Sequence, residues 1–170
     1  MNIIHYPQLK NFIQNDPLSD WFEIINNKYN AYEPNDKSSF EINLSECKQK
    51  YKEDFFDFLK SHYHYYFGIH LSHEQTMENI LNKNIKGIFI KCELYHSRHN
   101  IILKPDLIIH RDIFKQIFNN VKHINLPRYI ISDILFQTIQ FNSDKSDIIN
   151  NDNIFYHKCK LKLCNESLNI

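Results

Sequence analysis

The period of hydrophobic residues changes near Gly87, and that change limits what this chain can fold into. Before it, apolar residues recur at spacings of three and four: Tyr51, Phe55, Phe58 and Leu59 in one segment, then Met77, Ile80 and Leu81 in the next. That is the signature of one buried helix face. After it come runs of β-branched and aromatic residues, Ile88-Phe89-Ile90 with Cys92 and Leu94, residues 101–109, and residues 128–141. These suit buried strands. A chain that interleaves both periods folds as an α/β domain, a small central mixed sheet flanked by helices, rather than as an all-α bundle.

The punctuation supplies the remaining boundaries. Asp16-Pro17 opens a short helix with Leu18, Trp21, Phe22 and Ile25 on one face, and residues 26–39 form a polar loop. A second helix spans about residues 44–65 and is ended or kinked by Gly68. Ser72 with Gln75 three positions on forms a capping box for a third helix. Residues 97–100 make a polar turn, and a helix over residues 112–121 carries Ile113, Phe114, Ile117 and Phe118 inward before Pro127 breaks it. A polar loop over residues 142–153 leads to a last helix from Ile154. The 170 residues suit one domain, with a helical region over residues 1–70 and a core over residues 71–170.

Composition narrows the function classes. Lys plus Arg (20) equals Asp plus Glu (20), so no net positive field draws the chain to nucleic acid or anionic lipid, and any DNA contact must come from a local patch. Cys47, Cys92, Cys159 and Cys164 are sparse and irregularly spaced, which suits free thiols in a reducing intracellular compartment. Residues 1–9 lack the basic and apolar stretches of an export signal, and no run of about 18 apolar residues offers a membrane span. His62 and His64, like His70 and His73, lack the paired spacing of zinc ligands, so no zinc site is expected.

Two carboxylates stand out. Asp106, in Lys104-Pro105-Asp106-Leu107-Ile108-Ile109, and Asp133, in Ile131-Ser132-Asp133-Ile134-Leu135, each sit among apolar residues, where a charge needs a cation, a hydrogen bond or a metal. Taken singly, each is the kind of Asp that caps a strand end. Together, on neighbouring strands, they could hold one divalent metal that activates water against a phosphodiester.

Residues 86–169 resemble the PD-(D/E)XK nucleases, in particular the RecB-like nucleases of giant DNA viruses. Leu94-Tyr95-His96 precedes Pro105-Asp106-Leu107-Ile108-Ile109-His110-Arg111-Asp112 at the family's separation, and Ser132-Asp133-Ile134-Leu135-Phe136-Gln137-Thr138 resembles its second acidic strand. Ser143-Asp144, Asn150-Asn151 and the segment from His157 to Asn165 follow in order, and Asp16-Pro17-Leu18 with Asp20-Trp21 resembles the family's N-terminal segment. The resemblance implies a restriction-endonuclease-like core and metal-dependent hydrolysis of DNA. Asp106 and Asp133, with the carbonyl of Ile134, would hold Mg²⁺ or Mn²⁺.

The departures matter as much. The family's catalytic lysine is Leu135, its Gly before Pro-Asp is Leu103, and its helix Gln is Lys160. Leucine cannot stabilise charge on a phosphate, so weak or absent cleavage is expected. Lys160 could supply the missing amine if the last helix packs on the third strand, but Lys158, Lys160 and Lys162 read more readily as a solvated or phosphate-touching face. Glu74 and Glu78 are the nearest candidates for a helix glutamate at the metal site, and a solvated helix face explains them equally well. A non-catalytic binding or scaffold domain that kept the fold is the alternative from a different class.

Overall fold

A computed structural model of the chain describes residues 3–13, 18, 38–135 and 152–168. The expected N-terminal helix, apart from Leu18, lies outside the described residues, as do the third strand beyond Leu135 and the loop that follows it. In chain order the elements are β1 (Ile4–His5), a 3-10 turn (Tyr6–Leu9), α1 (Lys10–Ile13), α2 (Ser39–His62), β2 (Tyr66–Ile69) and α3 (His73–Leu81). Then come β3 (Gly87–Ile90), β4 (Leu94–His96), β5 (Ile101–Leu103), β6 (Leu107–His110), α4 (Arg111–Ile117), a second 3-10 turn (Asn119–Val121), β7 (Tyr129–Ser132) and α5 (Asp152–Leu168). The class is α/β, built on two small mixed sheets.

The larger sheet has the order β2-β3-β6-β7, with β2 parallel to β3 and the other two pairings antiparallel. Its central strands β3 and β6 are buried at every position, which is why Gly87 to Ile90 and Leu107 to His110 read as continuous runs without alternation. Edge strand β7 alternates instead. One face, Phe89, Ile108, Tyr129 and Ile131, packs with Ile80 of α3, Cys164 of α5 and the smaller sheet β1-β5-β4. The other, Ile88, Ile90, Leu107 and Ile109, packs with Phe56 and Leu59 of α2 and Ile113 of α4. No described helix is long and apolar enough to cross a membrane.

Two expected strands are each divided between the sheets, for identifiable backbone reasons. Lys91 takes a left-handed φ of 51°, so the run that began at Ile88 leaves the larger sheet after Ile90 and resumes as β4 in the smaller one. Residues 101–109 are interrupted at Lys104-Pro105, where proline has no N–H for a ladder, and the chain crosses from β5 in one sheet to β6 in the other. Three strands were expected; seven stand among the described residues.

Helix α2 also departs from its expected stripe. It starts at Ser39 and ends at His62, and its inward residues are Phe56 and Leu59, with Phe55 half-buried, whereas Tyr51 and Phe58 are exposed. Leu81 and Phe118, expected inward, are exposed as well. The capping box holds: Ser72 Oγ accepts from the Gln75 N–H at 3.4 Å, and Gln75 Oε1 accepts from the Ser72 N–H at 3.1 Å.

Gly68 does not end a helix; it lies inside β2, opposite Phe89. Its backbone runs against the buried Phe89 ring, and a Cβ there would come within 2.6 Å of Phe89 Cδ1 and 2.7 Å of Leu71 Cδ1. Space, not conformational freedom, requires the glycine. Gly68→Ala should therefore lower stability by about 1–3 kcal/mol through overpacking, measured by urea denaturation. A neutral result would mean that Phe89 and Leu71 yield freely.

Candidate active site

The ladder of β6 and β7 ends at the pair Leu107 and Ser132, and one step further Asp106 faces Asp133. Both acids therefore stand just outside the strands that the sequence assigned them to. At that point each chain has an N–H with no ladder partner, and each is taken by the other's carboxylate. The Asp106 N–H donates to Asp133 Oδ1 at 3.0 Å, and the Ile134 N–H donates to Asp106 Oδ2 at 2.8 Å. The Asp106 carbonyl accepts from the Lys91 N–H at 3.0 Å, tying the same point to the end of β3.

Cations arrive from both sides of the larger sheet. Lys52 of α2 donates to Asp106 Oδ2 at 2.7 Å, with the two side chains 25% and 10% exposed. Lys160 of α5 donates to both oxygens of Asp133, at 2.9 and 3.0 Å, with side chains 13% and 2% exposed. His157, one turn earlier on α5, lies 2.8 Å from Asp133 Oδ2 through Nδ1. For that contact to be a hydrogen bond, Nδ1 carries the proton. Among the described residues, two carboxylates thus meet two ammonium groups, a neutral set before any charge on His157.

The electrostatics follow from this arrangement. Burial is the largest influence on Asp133 and pushes its carboxyl up, but His157, Lys160 and the Asp106 N–H together outweigh it and hold the group at about 2. The wall beside it is apolar and poorly solvated. Tyr6, from the N-terminal 3-10 turn, is buried and donates its hydroxyl to the Tyr156 carbonyl at 2.7 Å. Burial, and then the nearby Asp133 charge, pushes the Tyr156 hydroxyl up to about 12. Burial likewise lifts the Cys164 thiol to about 12.

Asp106, Asp133 and Lys160, chosen from the sequence, are therefore brought to one point. Lys160 is not part of a solvated face: α5 packs against β4 and β7, and this turns the Lys160 amine inward while Lys158 and Lys162 are exposed. Ile134 contributes its N–H, and Leu135, two residues after Asp133, is half-buried. Glu74 and Glu78 are exposed on α3, where Glu74 accepts from Ser72 Oγ. Among the described contacts neither glutamate meets the acid pair.

Lys52 and His157 were missed, although a signal existed for each. Lys52, Phe56 and Leu59 fall at i, i+4 and i+7, so the lysine lies on the core-facing stripe of α2. His157, Lys160 and Cys164, at i, i+3 and i+7, do the same on α5. The histidines discounted as zinc ligands have other contacts: His62 Nδ1 lies 3.0 Å from the Phe58 carbonyl, and His73 Nδ1 accepts from the Tyr95 N–H at 3.0 Å. Among the described residues no group of three or more His, Cys, Asp or Glu side chains could hold a metal ion.

Comparison with known proteins returned no matching family model, no matching curated protein and no matching solved structure. The site therefore has to be read from its own geometry.

Because the folded pKa of Asp133 lies below its usual value of 3.8, its contribution to stability is complete above pH 4 and is lost as pH falls through about 2. The loss should be on the order of 2 kcal/mol. Urea unfolding of wild type and Asp133→Asn between pH 5 and 2 measures it, with the shallower acid slope in the variant. Equal slopes would show that the carboxylate is not held by its partners.

Proposed function

We propose that this chain is a nuclease-like domain of the PD-(D/E)XK type, derived from enzymes that hydrolyse DNA phosphodiesters with Mg²⁺ or Mn²⁺. One observation carries the reading: Asp106, Asp133 and the Lys160 amine, drawn from the ends of two strands and from a helix, meet at a single point. The convergence supports a shared chemical task, since neighbouring-strand carboxylates with an amine are the groups that such hydrolysis uses.

The donor chemistry suits the metal. Mg²⁺ and Mn²⁺ take hard oxygen ligands, and one or two protein carboxylates suffice when water and substrate phosphate fill the other positions. Asp106 and Asp133 would hold the ion, with the Ile134 carbonyl as a further ligand. When bound, it would supply Lewis acidity and an activated water.

The chain's own residues do the remainder. Lys160 supplies the ammonium that Leu135 cannot, and would offset negative charge developing on a phosphate. His157 orients Asp133 through Nδ1. The paired N–H bonds of Asp106 and Ile134 fix both carboxylates relative to the strands.

A second reading has its own observation. Both acids are already neutralised by lysines and hydrogen-bonded to backbone, so the cluster is complete as a structural lock, and a non-catalytic binding or scaffold domain would need no more. The two are separated by incubating linear and single-stranded DNA with Mn²⁺ and the wild type, Lys160→Ala or Lys162→Ala. The nuclease reading expects cleavage in wild type, a loss of at least about 100-fold in Lys160→Ala and little change in Lys162→Ala. No cleavage by wild type, together with no thermal shift in millimolar Mn²⁺, would leave the scaffold reading.

A further inference from the structure

Helix α2 delivers a lysine, not a carboxylate, to the acid pair, and its circumstances differ from those of Lys160. Asp133 is the more heavily engaged: its oxygens accept from Lys160 twice, from His157 and from the Asp106 N–H. Among the described residues, Asp106 is held more lightly. Its Oδ2 receives the Ile134 N–H from the backbone and Lys52 as a single ammonium contact. Lys52 is also the more solvated of the two lysines, 25% exposed against 13%. A four-carbon stem rooted on a helix can swing such an ammonium into water without moving any backbone.

The charge count gives that motion a consequence. With both lysines in place, the carboxylates offer no net negative charge to a divalent cation. With Lys52 withdrawn, a net charge of about −1 remains at the acid pair, and Asp106 Oδ2 keeps the Ile134 N–H as its described partner.

We propose that Lys52 is an internal counter-ion that competes with a divalent cation for Asp106, so that metal enters this site only when Lys52 swings out. The inference rests on the metal reading of the acid pair and adds its regulation. Anything that draws Lys52 away, such as a phosphate group approaching α2, would favour loading. The site is thereby self-neutralised when idle.

Thermal unfolding of the full chain is followed against Mn²⁺ from micromolar to tens of millimolar, for wild type, Lys52→Gln, Lys52→Met and Lys50→Met. Lys50 is an exposed neighbour on the same helix. Gln keeps a hydrogen-bonding end, so Lys52→Gln tests the charge even if Lys52→Met fails to fold. The expected result is a Mn²⁺ midpoint lowered at least about tenfold in Lys52→Gln but not in Lys50→Met, and abolished when Asp106→Asn is added.

A wild-type shift with an unchanged midpoint in Lys52→Gln would overturn the competition while leaving the metal reading intact. An equal gain in Lys50→Met would overturn it too, by reducing the effect to overall charge. No shift in any variant would remove the metal reading, and the competition with it.

Discussion

The crossed exchange at the end of β6 and β7 is the contact on which the rest of the arrangement depends. Each acid accepts the N–H that the other strand leaves without a partner, so the carboxylates end the ladder as well as facing one another. A backbone hydrogen bond contributes only about 1 kcal/mol net, but a buried carboxylate stripped of its cation costs about 3–5 kcal/mol. The ions therefore decide the balance, and the hydrogen bonds set the geometry in which they act. Exposed pairs elsewhere, such as Lys60 with Asp57 and Lys86 with Asp112, contribute about 0–1 kcal/mol each.

The cluster sits where two apolar layers meet. Lys52 comes from the helix that packs with Ile88, Ile90, Leu107 and Ile109, and Lys160 and His157 come from the helix that packs on the opposite face of the same sheet. Two long basic side chains thus reach round the end of the sheet to a common pair of acids. The arrangement joins α2, β6, β7 and α5, elements from opposite ends of the sequence. The same contacts hold a fold together and assemble a candidate active site, which is why the catalytic and scaffold readings use the same residues.

Legibility varied with the range of the interaction. The third helix was readable because Ser72 and Gln75 satisfy each other's N–H groups within four residues. The acids were readable because a charge among β-branched residues demands a partner. The partner of Asp106 was not, since Lys52 is 54 residues away and its neighbours Tyr51 and Phe58 suggested a different inward stripe. Lys160 was visible as a candidate, but lysines at 158, 160 and 162 carry no mark of which one a packed helix turns inward.

What the sequence alone determined was the alternation of helix and strand, the caps, and the two positions where buried charge had to be compensated, because each follows from local spacing and desolvation. Tertiary structure decided the rest. Which sheet a strand joined was settled by Lys91 adopting a left-handed turn and Pro105 withholding a donor, and which cations met which acid was settled by how α2 and α5 rotate on opposite faces of one sheet. Rotation about a helix axis is chosen by packing against surfaces distant in the chain, and no local pattern encodes it.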